Sequence, residues 1–135
     1  MVVIVSMHIA TGAWAGAAAG SRGRAVACGV VLHALCDAVP HRDIDSTRFE
    51  IVSGVALLAL VVAGRSPLDR AVVGAVASCA PDLEHVLPLP QPRERKLFPT
   101  HRYAALHRAG GVPAWLQLVV AGAVVGAMFR GRATR

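Results

Sequence analysis

The residues best suited to chemistry lie in the stretch HALCDAVPHRDID, residues 33–45. It begins inside an apolar run and holds two histidines and three aspartates. His33 and Asp37 are four residues apart, so on a helix they project from one face and can reach the same ion. Pro40 ends that helix and turns the chain, which lets His41 fold back toward the same point. Imidazoles beside a carboxylate are donors that divalent transition metals bind well.

Histidines and carboxylates recur later in the chain in a similar setting. The segment APDLEH, residues 80–85, again places a proline beside an acid. Two later histidines can complete the shell of an ion, or hold a substrate phosphate together with Arg102 and Arg108. A general base must be a group such as a carboxylate within hydrogen-bond reach of the attacking water. The candidate bases are Glu50 and Glu84, and the candidate metal ligands are His8, His33, Asp37, His41, Asp82, His85, His101 and His107.

The donor types narrow the choice of metal. Mixed nitrogen and oxygen donors favour zinc, with manganese or iron as alternatives, over magnesium or calcium, which prefer all-oxygen shells. The three cysteines fall inside apolar runs without a CxxC pair, so they indicate buried small hydrophobes rather than a closed structural zinc site. A metal-free alternative also fits the spacing, in which His33 and Asp37 form a buried hydrogen-bonded pair that joins two helices.

The elements that position these residues are predicted from uncharged runs. The chain has 135 residues, of which 55% are apolar and only 4% aromatic. Residues 2–20, if His8 is neutral, and residues 109–129 carry no charge, and each run has about the ~20 residues of a membrane-spanning helix. Between them lie three shorter apolar runs that we interpret as short spans: 25–36, 51–64 and 71–81. The prediction is an all-α integral membrane bundle of about five helices, forming a single membrane domain over residues 1–135.

An imperfect repeat relates the first predicted helical hairpin to the second. His8-xxx-Gly12 corresponds to Glu50-xxx-Gly54, although such glycine matches also arise by chance in segments rich in Ala and Val. In the same way, Gly29, His33 and Asp37 correspond to Gly74, Ser78 and Asp82. The repeat halves are predicted at about residues 7–45 and 49–86, followed by a polar loop over 82–111 and a last span over 112–129.

The repeat predicts how the helices pack. Glycines four residues apart, such as Gly12 and Gly16, let another helix approach closely, and Gly122 and Gly126 give the last span a similar stripe. Both halves start on the same side, so they would be related by an axis along the membrane normal. The helix ends expected around that axis carry His8, Asp37, Glu50 and Asp82.

The charges separate the two sides of the predicted bundle. The short loops at 21–24 and 65–70 and the C-terminal tail carry seven basic residues and one acid, whereas 37–50 and 82–108 carry seven of each. Short basic loops favour the cytoplasm, so we place the C-terminus there. All six histidines then fall at the opposite face. The net charge of +6 is interpreted as anchoring charge, and no basic stripe interleaved with aromatics predicts nucleic-acid binding.

The first residues do not predict a signal peptide, because no basic segment precedes the apolar run. Met7 is an alternative start, which would leave MHIATG as the first residues. The expected location is the bacterial inner membrane, with membrane lipid as the surrounding partner. The small size and the short second and fourth spans also suit a homo-oligomer.

Several of these motifs together resemble the YdjM-like family of bacterial inner-membrane proteins, which are described as metal-dependent hydrolases. The resemblance covers about residues 7–107, and it implies a membrane-bound metal site and a hydrolytic activity. Two departures concern Glu84, where the family usually has Asp, and the pair His101 and His107, whose spacing is one residue longer. The motifs that carry the resemblance are Met7-His8-x-x-Thr11-Gly12, His33-x-x-x-Asp37-x-x-Pro40-His41-x-Asp43, Pro81-Asp82-x-Glu84-His85 and His101-Arg102…His107.

Two functions remain open from the sequence. The first is a membrane-embedded metal-dependent hydrolase that acts on a lipid-linked or phosphorylated substrate at the membrane surface. The alternative is a non-enzymatic metal-binding or structural membrane protein that works as an oligomer. A soluble helical bundle is a third reading of the short apolar runs.

Overall fold

The chain folds into α-helices. The computed structural model describes residues 4–42, 44–91, 95–106 and 110–133. The helices in chain order are α1 Val5–Ala18, α2 Arg22–Ala38, α3 Thr47–Val62, α4 Arg70–Cys79, α5 Leu83–Val86, α6 Pro99–Arg102 and α7 Ala114–Ala133. Short 3-10 turns cover Ala80–Asp82 and Ala104–Leu106. The prediction of an all-α fold is confirmed, and each of the five apolar runs falls on one of the longer helices.

Side-chain caps and a proline set the ends of these helices. Ser21 accepts a hydrogen bond from the Arg24 N–H at 3.2 Å, and Asp69 accepts one from the Ala71 N–H at 2.8 Å. Both satisfy N–H groups that have no partner within the first helical turn. Pro40 disfavours helical geometry at the preceding residue, so α2 ends at Ala38. Asp37 therefore lies in the last turn of α2, where its side chain can reach groups beyond the end of the helix.

Helix α4 packs against α1 and α2 in backbone contact through glycines. A Cβ atom at Gly12 would lie 2.5 Å from the Gly74 carbonyl oxygen, and one at Gly29 would lie 2.6 Å from the same oxygen. A Cβ atom at Gly16 would clash with the Arg70 carbonyl group. Only glycine permits this approach, so the predicted packing role of Gly12 and Gly16 is confirmed.

The predicted glycine stripe of the last span is not used within the chain. A Cβ atom at Gly122 or Gly126 would meet no atom within 4 Å among the described residues. Helix α7 instead packs on α1 through another face, on which Ala121 and Val125 are buried. The prediction was wrong for intrachain packing because the bulkier apolar face of α7 fills the core.

Several ionisable side chains lie inside the bundle beside the apolar core, and many large apolar side chains lie outside. His8, His33 and Asp37 are completely buried, whereas Val55 and Trp115 are each 64% exposed. The apolar core consists mainly of small or branched residues: Ile9, Ala10, Ala13, Val61, Val72, Ala75, Ala121 and Val125. Most of the large apolar side chains therefore lie on the outer helix faces and not in this core.

Helix lengths define how much of the chain can cross a membrane unaided. Among the described helices, only α7 is long and apolar enough to cross a membrane. The segment that meets this condition is Ala114–Gly131, with a mean hydropathy of 1.5. Helices α1 to α4 have 14, 17, 16 and 10 residues. At about 1.5 Å per residue they are shorter than the ~30 Å hydrocarbon core of a bilayer. One described helix therefore has the length and composition of a membrane span.

Candidate metal centre

Four segments of the chain bring histidines and carboxylates together at one end of the bundle. His8 comes from α1, His33 and Asp37 from α2, Asp82 from the turn after α4, and His101 from α6. All five side chains are almost fully inaccessible to solvent. Helix α4 continues through Ala80–Asp82 into α5, so Asp82 lies one turn beyond Ser78. The site is therefore built from residues far apart in sequence.

Three donor atoms form a nearly equilateral triangle. His33 Nε2 lies 3.2 Å from His101 Nε2 and 3.2 Å from Asp37 Oδ2, and the remaining side, from His101 Nε2 to Asp37 Oδ2, is 3.6 Å. Asp82 Oδ1 lies 3.5 Å from His101 Nε2. Ligand atoms around a tetrahedral zinc ion, with bonds of about 2.0–2.1 Å, lie about 3.3 Å from one another. The three atoms of the triangle therefore have the spacing of a zinc-ligand set, and Asp82 lies close enough to His101 to join them.

Hydrogen bonds on the far side of the His33 and His101 rings fix which ring nitrogen faces the triangle. The Ser78 carbonyl oxygen accepts from His33 Nδ1 at 2.8 Å, and Glu84 Oε1 accepts from His101 Nδ1 at 2.6 Å. A carbonyl group or an ionised carboxylate can only accept, so Nδ1 carries the proton in both rings. When the ring is neutral, its Nε2 atom then presents a lone pair to the centre, as metal-binding histidines commonly do. Two lone pairs 3.2 Å apart repel unless a proton or a metal cation lies between them.

The carboxylates of Asp37 and Asp82 support a cation as well. Their four oxygens are buried, and none accepts a hydrogen bond of regular geometry from the residues that the structure describes, although histidine nitrogens lie 3.2–3.9 Å away. Leaving a buried acceptor unsatisfied costs about 1–3 kcal/mol, and more for a charged group. Burial raises the pKa of Asp82 to about 8; His33 opposes this shift, and the charge of Asp37 adds to it. A divalent cation would remove this penalty, so the residues fit a metal.

Glu84 holds the segment that carries His101. Its Oε2 atom accepts from the Leu97 N–H at 2.5 Å, and its Oε1 atom accepts from the Phe98 N–H at 3.4 Å as well as from His101. Burial opposes ionisation, but these donors keep the pKa of Glu84 below its usual value. Glu84 therefore stays ionised at neutral pH and fixes the position of the imidazole.

The rings of His85 and His101 are neutral near pH 7. Burial lowers the pKa of His85 to about 4, and it also lowers the pKa of His101. The ring centroids of His85 and His101 lie 4.4 Å apart. Glu84, His85 and His101 also offer donor atoms within 4.8 Å of one another. Neutral imidazoles can donate lone pairs to a metal without first losing a proton.

His8 lies on the other side of the two aspartates. Its Nε2 atom is 3.5 Å from Asp37 Oδ1 and 3.9 Å from Asp82 Oδ2, which are the oxygens that point away from His101. His8, His33 and Asp37 also form a group with donor atoms within 4.8 Å. His8 can therefore orient both carboxylates or contribute to the binding of an ion.

Three predicted site residues are not among the atoms of the triangle or of its described hydrogen bonds. His41 is buried in another contact, where its Nδ1 atom is 2.6 Å from the Val39 carbonyl oxygen and its backbone pairs with Val112. Glu50 lines an apolar groove beside Asp82 and His85. His107 lies outside the described residues. The roles predicted for these three residues stay predictions.

The sequence did not reveal several groups that complete the centre. Ser78 acts through its carbonyl oxygen, which no side-chain motif encodes. The backbone N–H groups of Leu97 and Phe98 hold Glu84. Thr100 is buried. Its position directly before His101 is the one sequence signal that could have identified this residue.

No protein-family model, curated protein or solved structure matches the chain. The resemblance to YdjM-like hydrolases therefore stays a prediction. The case for a metal centre rests on the donor triangle and on the buried oxygens around it.

The contact between Glu84 and His101 gives a first testable prediction. Glu84→Gln removes the charge that orients His101, and we expect zinc affinity to fall about 10–100-fold. A competition titration against a chelating dye, with the purified protein in detergent, measures this affinity. Asp45→Asn is the control, because Asp45 is exposed. An unchanged affinity in a folded Glu84→Gln protein would show that this contact does not support metal binding.

Proposed function

We propose that the protein is a metal-dependent hydrolase of the bacterial inner membrane, acting at the membrane surface on a phosphorylated or lipid-linked substrate. One observation carries the proposal: a buried triangle of two imidazole nitrogens and a carboxylate oxygen with the spacing of a metal-ligand set. Hydrolases commonly use such a metal to activate water. The resemblance to YdjM-like proteins points to the same chemistry.

The membrane location is supported by the distribution of side chains. Trp14 on α1, Val52 on α3 and Trp115 on α7 are each more than half exposed. Apolar surface gains about 25 cal/mol per Å² when removed from water, so these faces favour lipid as their surroundings. Ionisable groups in a membrane bundle face its interior and mark functional sites. In the proposed five-span bundle, short helices are accommodated by local thinning of the bilayer.

The chemistry follows from the side chains around the triangle. His33, His101, Asp37 and Asp82 would hold zinc, or alternatively manganese or iron. A metal held there would lower the pKa of a water molecule and polarise a phosphoryl or acyl oxygen.

Glu50 is the better placed of the two predicted general bases. Both oxygens of Glu84 accept hydrogen bonds from the segment that carries His101, so Glu84 acts in positioning. Glu50 borders the groove beside Asp82 and His85, where a substrate can enter. Its carboxylate lies near enough to Asp82 to affect the pKa of that group. In this proposal Glu50 takes the proton from the attacking water.

Turnover tests the proposal. The purified, zinc-loaded protein is assayed against a panel of phosphate and carboxylate esters, and we expect Glu50→Gln to lower kcat by about 10²–10⁴-fold. Zinc content should stay the same, because Glu50 is not among the four proposed ligands. Asp45→Asn again serves as the control. Full activity in Glu50→Gln would exclude Glu50 as the base, and no turnover of the whole panel by zinc-loaded protein would count against a hydrolase.

The non-enzymatic alternative is favoured by the open face of α7. Gly122 and Gly126 meet no neighbour within the described chain, so a second copy can pack there through its own glycines. Stoichiometric zinc without turnover, together with a dimer in detergent that Gly122→Leu disrupts, would support a structural metal-binding protein.

A further inference from the structure

Two cavities of opposite character border residues of the metal centre. The first, which we call the chain groove, has a volume of about 340 Å³ and lies between α1, α3 and the segment from the end of α4 to α5. Its walls are apolar, and its inner end is formed by the polar residues Glu50, Asp82 and His85. The apolar walls include Val5, Ile9, Gly54, Val55 and Leu58.

The chain groove opens toward the apolar outside of the bundle. Ile51 and Val55 line it and are 44% and 64% exposed. These side chains belong to the surface of α3 that we propose faces lipid. A hydrocarbon chain could therefore pass from the membrane into the groove without crossing a polar barrier. At about 340 Å³ the groove is near the small end of ligand cavities, which suits one chain rather than two.

The second cavity, which we call the basic pocket, lies on the loop side of the centre. It has a volume of about 460 Å³ and is lined by Arg95, Lys96, His101, Arg102 and Tyr103. Three of these side chains are cationic, and none of the described residues that line the pocket is acidic. Arginine and lysine are the usual partners of phosphate groups.

A pair of histidines lies between the two cavities. His85 lines the chain groove and His101 lines the basic pocket, and their ring centroids are 4.4 Å apart. His101 is also a corner of the donor triangle. A molecule with its apolar part in the chain groove and its anionic group on the side of the basic pocket would therefore place the junction of the two parts beside the metal centre.

We infer that the substrate is a phosphate monoester of a single-chain lipid, with its hydrocarbon chain in the chain groove and its phosphate facing the basic pocket. The identity of the reacting group rests on the proposed hydrolase function. Hydrolysis forms a bond from a water oxygen to phosphorus and breaks the bond from phosphorus to the lipid oxygen. One water proton passes through Glu50 to that oxygen, so the products are inorganic phosphate and the lipid alcohol.

Binding measurements separate this substrate from a soluble phosphate ester. The probes are dodecyl phosphate and butyl phosphate, titrated into zinc-loaded protein in nanodiscs, with concentrations corrected for uptake by empty nanodiscs. We expect dodecyl phosphate to bind about tenfold more tightly, equivalent to about 1.4 kcal/mol. Equal affinity for the two esters would overturn the inference and leave a soluble phosphate as the ligand.

A matched pair of variants on α3 tests the position of the chain. Val55 lines the groove and Val52 does not, although the two are 64% and 61% exposed. We expect Val55→Trp to abolish the tenfold preference for dodecyl phosphate and Val52→Trp to keep it. Both variants should retain zinc, which confirms that the centre is intact. If Val55→Trp retained the full preference, or if both variants lost it equally, the chain groove would be excluded as the binding site.

The binding assay does not depend on turnover, so the two proposals can fail separately. Chain-length preference that Val55→Trp removes, with no hydrolysis of either ester, would support the groove and count against the hydrolase. Hydrolysis of both esters with the same kcat/KM, unaffected by Val55→Trp, would support the hydrolase and overturn the groove.

Discussion

Replacing Asp37 by asparagine is expected to lower the affinity for zinc by at least about 100-fold. Loss of an outer contact to a ligand already costs 10–100-fold, so loss of a charged ligand should cost at least as much. Asp37 Oδ2 lies 3.2 Å from His33 Nε2 and 3.6 Å from His101 Nε2, and its other oxygen faces His8. The asparagine keeps the shape of the side chain and removes its charge. Zinc affinity is measured by competition with a chelating dye.

The same variant distinguishes a metal ligand from a structural ion pair. If Asp37 only joined helices by pairing with His33, removing it would destabilise the metal-free protein by about 3–5 kcal/mol. If Asp37 is a metal ligand, the metal-free protein should instead gain stability, because a buried charge without a cation is removed. Unfolding in detergent with and without zinc measures both effects. The control is Asp45→Asn, since Asp45 is an exposed acid that follows α2. Normal zinc binding by Asp37→Asn would contradict the proposed ligand set.

The second large effect concerns the contact between α1 and α4. Gly74→Ala should destabilise the fold by about 1–3 kcal/mol, the usual cost of overpacking a tight site. The added Cβ would lie 2.9 Å from the Gly16 Cα atom and would clash with the Gly12 carbonyl oxygen. Backbone atoms cannot move aside as a flexible side chain can. Because α1 carries His8 and α4 leads to Asp82, we also expect weaker zinc binding.

Gly122→Ala is the matched control for this substitution. It places the same methyl group on a helix where no described atom lies within 4 Å. The free energy of unfolding is expected to stay the same or to rise by up to about 1 kcal/mol, because alanine favours the helix more than glycine does. Equilibrium unfolding in mixed detergent and SDS micelles compares the two variants. Equal stability of Gly74→Ala and Gly122→Ala would show that α1 and α4 do not approach as closely as described.

Local sequence patterns predicted much of the fold. The apolar runs located all five longer helices, and Pro40 correctly predicted the end of α2. The spacing of His33 and Asp37 predicted that both would reach one point, since a helix places residues four apart on one face. Gly12 and Gly16 predicted the close contact that the structure shows with α4.

The parts that could not be predicted depend on contacts between distant segments. Glu84 was proposed as a base, but the fold of residues 95–98 places two backbone N–H groups on its carboxylate. His41 was grouped with His33, and its backbone pairs with Val112, a contact between segments about 70 residues apart. Neither contact has a local sequence signal. Helix spacing also cannot tell which face of α7 packs, because both faces are apolar or small.

X-ray absorption at the zinc edge of the purified, zinc-loaded protein tests the central claim most directly. We predict one zinc ion per chain with only nitrogen and oxygen neighbours at about 2.0–2.1 Å and the scattering pattern of at least two imidazoles. His33→Ala/Asp37→Ala should lose this signal. A sulfur neighbour at about 2.3 Å, or no zinc retained by folded wild-type protein, would contradict a centre built from His33, Asp37, Asp82 and His101.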